Sequence, residues 1–269
     1  MWGNTASMGV LRMPHLPAVP HFPPLWRESR FAFELAELRR SPVFRGHGVP
    51  RGDGRAVMLI PGFLAGDGSL ATMTHWLRQN GYHTRRAGIR ANVGCSEEAC
   101  ARLEARLEGF AEHTGQKVSI VGQSRGGTFA RALAVRRPDL VEGIVTLGSP
   151  TVSQLRIHPL VLAQVGLVSA LGTARIPGMF RLSCLRGDCC HEFRDSITGP
   201  FPAEVGYVAM YSRSDGVVDW HSCLDPAAHC VEVHSSHCGM SVNAEVYRAV
   251  AHALHRFSAA GAGGLAQAA

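Results

Sequence analysis

The segment Val118-Ser119-Ile120-Val121-Gly122-Gln123-Ser124-Arg125-Gly126-Gly127 constrains this chain more than any other. Lys117–Val121 reads as a short buried strand, and Thr128–Val135 lies within a helix. Between them stands G-x-S-x-G. A serine on so sharp a strand-to-helix turn projects its hydroxyl from the sheet edge, and bulk two positions to either side would clash, hence the glycines. The helix start beyond it offers unpaired N–H groups and the positive end of a dipole. Ser124 is therefore a candidate nucleophile.

The surrounding sequence alternates strands and helices. Strands are expected at Ala56–Ile60, Tyr82–Ile89, Val141–Leu147, Tyr207–Tyr211 and Cys230–His234. Helices are expected at Trp26–Arg40, Ser69–Asn80, Ser96–Glu112 (Ser96 as N-cap) and Ala244–Phe257. In the first helix, Phe31, Leu35 and Leu38 share a face, and Ser41-Pro42 ends it. Short apolar strands between helices predict an α/β fold with a mostly parallel sheet covered on both faces. Residues 55–150 and 206–257 form the expected core. A Pro-rich lead and helix precede it at 1–54, and a mobile Ala/Gly-rich tail follows at 258–269. The interval 151–205 is too long for an ordinary crossover and is read as an inserted apolar cap over the carboxyl edge of the sheet, where ligands bind in open α/β sheets.

A serine nucleophile needs a base, and the base needs an orienting partner. Asp215 directly follows the Tyr207–Tyr211 strand, with Gly216 permitting a tight turn. Asp219 is its rival, and Asp225 ranks behind both. His237 sits in the loop before the last helix, whereas His234 is assigned to the strand. Upstream, Ile60-Pro61-Gly62-Phe63-Leu64 ends a strand in a turn that aims a backbone N–H toward the serine. Phe63 and Arg125 are the expected oxyanion donors, with Leu64 the alternative to Phe63. Leu64, Gln123, Leu160 and Val165 are the candidate substrate contacts. The last two belong to the apolar stretch Leu155–Leu171, which reads either as packing or as an acyl pocket or interfacial lid.

The order Ser124, Asp215, His237 is the one α/β-hydrolase topology gives. On IPGF (60–63), GQSRGG (122–127), YSRSDGVV (211–218) and SSHCGM (235–240), the chain resembles the α/β-hydrolase superfamily, bacterial lipases and esterases above all. The likeness runs from about Arg55 to Phe257, and Gly88–Gly94 is similar to a loop after the second strand of such lipases. Gln123 departs from the aromatic residue or histidine often found before the serine. The resemblance implies hydrolysis of carboxylic esters without a cofactor, acting on a small-molecule ester or lipid. Acyl transfer by the same triad and a non-catalytic lipid-binding module are the alternatives.

Composition sets the remaining bounds. The net charge of +6 is almost all arginine, Lys117 being the only lysine. Those arginines are scattered without interleaved aromatics, which argues against a nucleic-acid partner. No apolar run reaches the roughly 20 residues of a membrane span, although contact with a lipid interface is compatible with the cap. The N-terminus, interrupted by prolines, lacks a signal-peptide pattern, which favours the cytoplasm. The eight cysteines leave export open. Cys223 with Cys230, and Cys184 with Cys189 or Cys190, are possible disulfides, with free thiols an equal alternative. Two clusters invite a metal: Cys184, Cys189, Cys190 and His191, and His229, Cys230, His234, His237 and Cys238. Neither supplies two C-x-x-C pairs, so no metal is expected.

Overall fold

A computed structural model describes residues 22–266. The Pro-rich lead as far as residue 21 lies outside the described residues. A 3-10 turn over Leu25–Arg30 leads into α1 (Phe31–Arg40), and Ser41 ends that helix as the sequence predicts. The elements that follow are β1 (Ala56–Ile60), α2 (Ala71–Gln79), β2 (His83–Arg86), α3 (Ser96–Thr114), β3 (Val118–Gln123), α4 (Arg125–Arg136) and β4 (Val141–Leu147). Then come α5 (Pro159–Thr173), α6 (Leu182–Arg186), α7 (His191–Thr198), β5 (Gly206–Tyr211), β6 (His229–Glu232) and α8 (Ala244–Ala266).

The six strands form one sheet in the order β2-β1-β3-β4-β5-β6, every pair parallel. The period of two along each strand sends alternate side chains to opposite faces. Val57, Leu59, Val121, Val145, Val208 and Met210 pack beneath α1, α2 and α8. Met58, Ile60, Ile120, Ile144, Tyr207 and Ala209 pack beneath α3, α4 and α7. Central β1 and β3 are buried throughout, while edge strand β2, His83-Thr84-Arg85-Arg86, is mostly exposed and charged. Charge on an edge discourages pairing with another chain.

Four local expectations need correction. The N-cap of α3 is Cys95, with Ser96 its first residue. Strand β6 stops at Glu232, so His234 lies in the following loop. Helix α8, expected to end at Phe257, continues to Ala266. In α1 the buried residues are Glu34 and Leu38, while Phe31 turns outward.

Residues 151–205 leave the sheet between β4 and β5. Helix α7 is fastened to α4: Phe129 packs on Phe193, and Arg131 donates to the carbonyls of Ser196 (3.0 Å) and Gly199 (3.1 Å). At its start, Arg156 pairs with Asp219 in the loop after β5, at 2.6 Å.

Candidate active site

The site sits at the carboxyl edge of the sheet, where β1, β3, β4 and β5 end together. Ser124 joins β3 to α4 with φ 53° and ψ −124°, a backbone conformation that side chains rarely adopt. Such strain persists only where the surroundings over-determine it. Here they do. A methyl group at Gly122 would strike the backbone of Gly126, and one at Gly126 would strike the carbonyl of Ile60 at the end of β1. Both glycines are thus required by close approach of backbone to backbone. The Ser124 N–H donates to Leu147 O at the end of β4 (2.8 Å).

The next residue along β4, Gly148, abuts the second part of the site. A side chain there would begin 2.9 Å from Asp215 Oδ2 and 3.1 Å from His237 Nδ1. His237 Nδ1–H donates to Asp215 Oδ2 at 2.7 Å, and both residues are buried. A carboxylate only accepts, so this bond fixes the proton on Nδ1 and leaves Nε2 as the basic nitrogen. The other oxygen, Asp215 Oδ1, accepts from the N–H groups of Val217 (2.8 Å) and Val218 (2.7 Å). Burial alone would lower the His237 pKa, but the charge and hydrogen bond of Asp215, aided by the charge of Glu28, outweigh it and hold the imidazole above its ordinary value.

The histidine loop is secured from the far end of the chain. Glu28 accepts from the N–H groups of Gly216 (3.1 Å), His237 (3.0 Å) and Cys238 (2.9 Å). Glu34 accepts from Ser235 Oγ, from Ser236 N–H (2.9 Å) and from Asn243 Nδ2 (3.0 Å). Sequence reasoning missed both glutamates. The only available signal was Glu34, one turn before Leu38, on a face that reads as apolar.

An apolar cavity of about 120 Å³ opens over Ser124. Phe63, Arg125, Leu155, Ile157, Val161 and Val165 are among its lining residues. Leu64, beside it, holds φ 60°. The Arg125 side chain turns away from the sheet and donates to Asn92 O (2.8 Å), Gly94 O (2.8 Å) and Ser96 Oγ (3.0 Å). Asn92 in turn donates to Pro61 O (2.8 Å), so the loop after β2 joins the two candidate oxyanion segments. Desolvation lowers the Arg125 pKa to about 10.

No family model matches the sequence, and no curated protein matches it. Solved structures do. A mature lipase from Bacillus licheniformis superposes with a TM-score of 0.57 at 16% identity, covering 77% of this chain and 94% of the lipase. A soluble variant of monoglyceride lipase from Saccharomyces cerevisiae gives 0.56 at 15% identity, over 78% of this chain and 88% of that one. A metagenomic carboxyl esterase gives 0.56 at 14% identity, over 77% and 76%. The chain has the α/β-hydrolase fold.

Within that hydrolase fold the rival residues are engaged elsewhere. Asp219 is clamped by Arg156 and by His221, whose Nδ1 lies 2.7 Å away. Desolvation would raise its pKa, but the bonds from His221 and Arg156 keep it low. Asp225 forms a buried ion pair with Arg131 at 2.7 Å. His234 is exposed and faces Glu245 at 3.5 Å. Of the proposed substrate contacts, Val165 lines the cavity, but Leu160 is 61% exposed and Leu64 48%, both outside its lining. Gln123, outside the cavity lining, donates to His237 O at 3.0 Å and braces the histidine loop.

All eight cysteines are free thiols, including the suggested pairs. Cys184, Cys189 and Cys190 do converge, but their fourth companion is Cys95, not His191. His191 faces Asp195 at 3.4 Å on the surface. The second histidine–cysteine group is not among the clusters that the fold gathers from the described residues.

Proposed function

We propose that this protein hydrolyses carboxylic esters through an acyl-enzyme on Ser124. The observation that carries the reading is the buried His237–Asp215 bond at 2.7 Å, abutting the end of β4 to which the strained Ser124 turn is hydrogen-bonded. In the first step His237 Nε2 takes the Ser124 proton as Oγ attacks the ester carbonyl. Asp215 stabilises the resulting imidazolium and holds the ring. The N–H groups of Arg125 and Phe63 receive the negative charge on the carbonyl oxygen. His237 then protonates the departing alcohol. Water, deprotonated by the same nitrogen, cleaves the acyl-enzyme and restores Ser124.

The apolar lining of the cavity suits an acyl chain, and we propose residues 151–205 as a cap over it. A second apolar cavity beside the first runs under α5, α6 and α7, sharing Gln154, Leu155, Val165 and Leu185 with it. Within this segment Leu160 and Leu182 are each 61% exposed and Leu167 60%. Single exposed leucines need no explanation, but several on one segment favour contact with a lipid interface. Among the described residues no helix is long and apolar enough to cross a membrane.

Hydrolysis of p-nitrophenyl esters from acetyl to palmitoyl, with wild type and Ser124→Ala side by side, tests the proposal. Activity that collapses in the variant supports the serine mechanism, and the optimal chain length separates an esterase from a lipase. Activity that survives means another nucleophile. Wild type inactive on every ester, yet forming acyl product with an alcohol acceptor, would turn the assignment to acyl transfer. A long-chain phosphonate bound to Ser124 tests the cap: its alkyl tail is expected against Leu155, Val161 and Val165.

A further inference from the structure

Three thiols close together in sequence and a fourth far upstream meet beside the candidate active site. Cys95 is the N-cap of α3, Cys184 lies in α6, and Cys189 and Cys190 close the 3-10 turn before α7. Their sulfur atoms all lie within 4.8 Å of one another. Cys190 Sγ is 3.4 Å from Cys95 Sγ and 3.8 Å from Cys189 Sγ. A tetrahedral zinc ion with Zn–S bonds of about 2.3 Å holds its sulfurs roughly 3.8 Å apart. The four thiols occupy that range.

We infer that Cys95, Cys184, Cys189 and Cys190 form a structural zinc site. Three features favour a shared cation over disulfides. The sulfurs converge as a group: Cys190 approaches two partners at once, whereas a disulfide joins sulfurs in exclusive pairs about 2.05 Å apart. A backbone donor already faces the cluster, the N–H of Arg181 lying 3.4 Å from Cys184 Sγ. Such N–H···S bonds orient metal ligands and stabilise their charge. Finally, zinc with four thiolates carries two negative charges, and arginines outnumber acids around the adjoining cleft, where Glu98 is the one lining carboxylate. Arg125 grips the residues on both sides of Cys95, and Arg102, Arg175 and Arg181 line the adjoining cleft. Cys189 is exposed at that cleft, which gives the ion a way in. A four-sulfur tetrahedral set selects zinc or iron over magnesium or calcium, and zinc needs no redox chemistry to stay bound. With no position left for water, its role is structural: it staples residues 184–190 to the loop after β2. Binding releases the thiol protons to solvent as the four Zn–S bonds form.

This site does not depend on the ester-hydrolase assignment, and its test does not use activity. Protein purified with a phosphine reductant and no chelator is assayed for zinc by elemental analysis, then stripped and reloaded with cobalt(II). The expected result is about one zinc per chain, released by a mercurial thiol reagent. Intense sulfur-to-cobalt charge-transfer bands with tetrahedral d–d bands are expected after cobalt loading. Cys95→Ser and Cys189→Ser should lose the bands, and Cys230→Ser should keep them. Fully reduced wild type that takes up neither zinc nor cobalt overturns the site, as does unchanged uptake by Cys95→Ser. A Cys95–Cys190 disulfide found by mass spectrometry in the reduced preparation also overturns it. Should a serine variant fail to fold, the wild-type cobalt spectrum alone decides.

Discussion

Ser124 and His237 are held in opposite ways. The serine is set by its immediate neighbours: two glycines, the ends of β1 and β4, and the first turn of α4. The histidine belongs to a loop without regular structure, and its position is imposed by two carboxylates about two hundred positions upstream. One half of the site is thus a local conformational device, and the other a long-range polar clamp. The first tolerates almost no change of residue size. The second is vulnerable to the loss of a single buried acceptor.

Substitutions on each side sharpen that contrast. The largest effect is expected from Ser124→Ala, which should lower kcat/KM by about 10⁴–10⁶ while leaving the melting temperature close to wild type. Esterase assays paired with thermal melts check this. Next comes Glu34→Ala on the histidine side. It strips the acceptor from Ser235, Ser236 and Asn243 in a buried setting and should cost about 3 kcal/mol or more of stability. Denaturant unfolding measures that loss, and Glu34→Gln, which keeps one acceptor, should recover part of it. If Glu34→Ala proves as stable as wild type, the clamp has no energetic weight.

A smaller effect separates charge from structure. His237 is held above its ordinary pKa partly by Glu28, so Glu28→Gln should lower the apparent pKa of kcat/KM, by less than about one unit. The sign is fixed by removing a negative charge next to the imidazolium. Activity needs the neutral ring, so the rate rises as pH climbs through this pKa. The stability His237 supplies runs the other way: it is complete below the unfolded value near 6.5 and is lost as pH rises through the higher folded value. A pH–rate profile that does not move would reduce Glu28 to a backbone acceptor. The smallest effect concerns the cap: Leu160→Ser, outside the cavity, should leave soluble short-chain esters unaffected and reduce only turnover of emulsified substrate.

The same contrast explains what could be read from the sequence. Local rules found the elbow, because G-x-S-x-G declares its own geometry, and they found β1 and β4 to the residue. They also located Asp215 and His237, since a residue just past a strand end lands at the carboxyl edge whatever the rest of the fold does. What they missed was non-local. The role of Glu34 could not be read from the sequence because its partners lie 201 to 209 positions away. Gln123 was assigned to substrate, yet it donates to the carbonyl of His237, 114 positions on. Cys95 stood in neither cluster of the sequence, each drawn from one stretch, whereas its sulfur lies 3.4 Å from that of Cys190, 95 positions on. The misassigned end of β6 is a different error: valine and histidine continue the strand pattern, but pairing with β5 is finished at Glu232.

The carboxylates of Glu28 and Glu34 also impose an order on biosynthesis. They leave the ribosome 188 to 210 residues ahead of their partners. Until those partners are made, α1 carries an acid that has no place to be buried, and it cannot dock in its final form. The histidine loop is completed only by closing the chain upon a segment 209 residues upstream, a contact of the slowest topological kind. A nascent chain that already contains the serine turn would therefore still lack an ordered His237 loop, and the two halves of the candidate site would come together only with the last of these contacts.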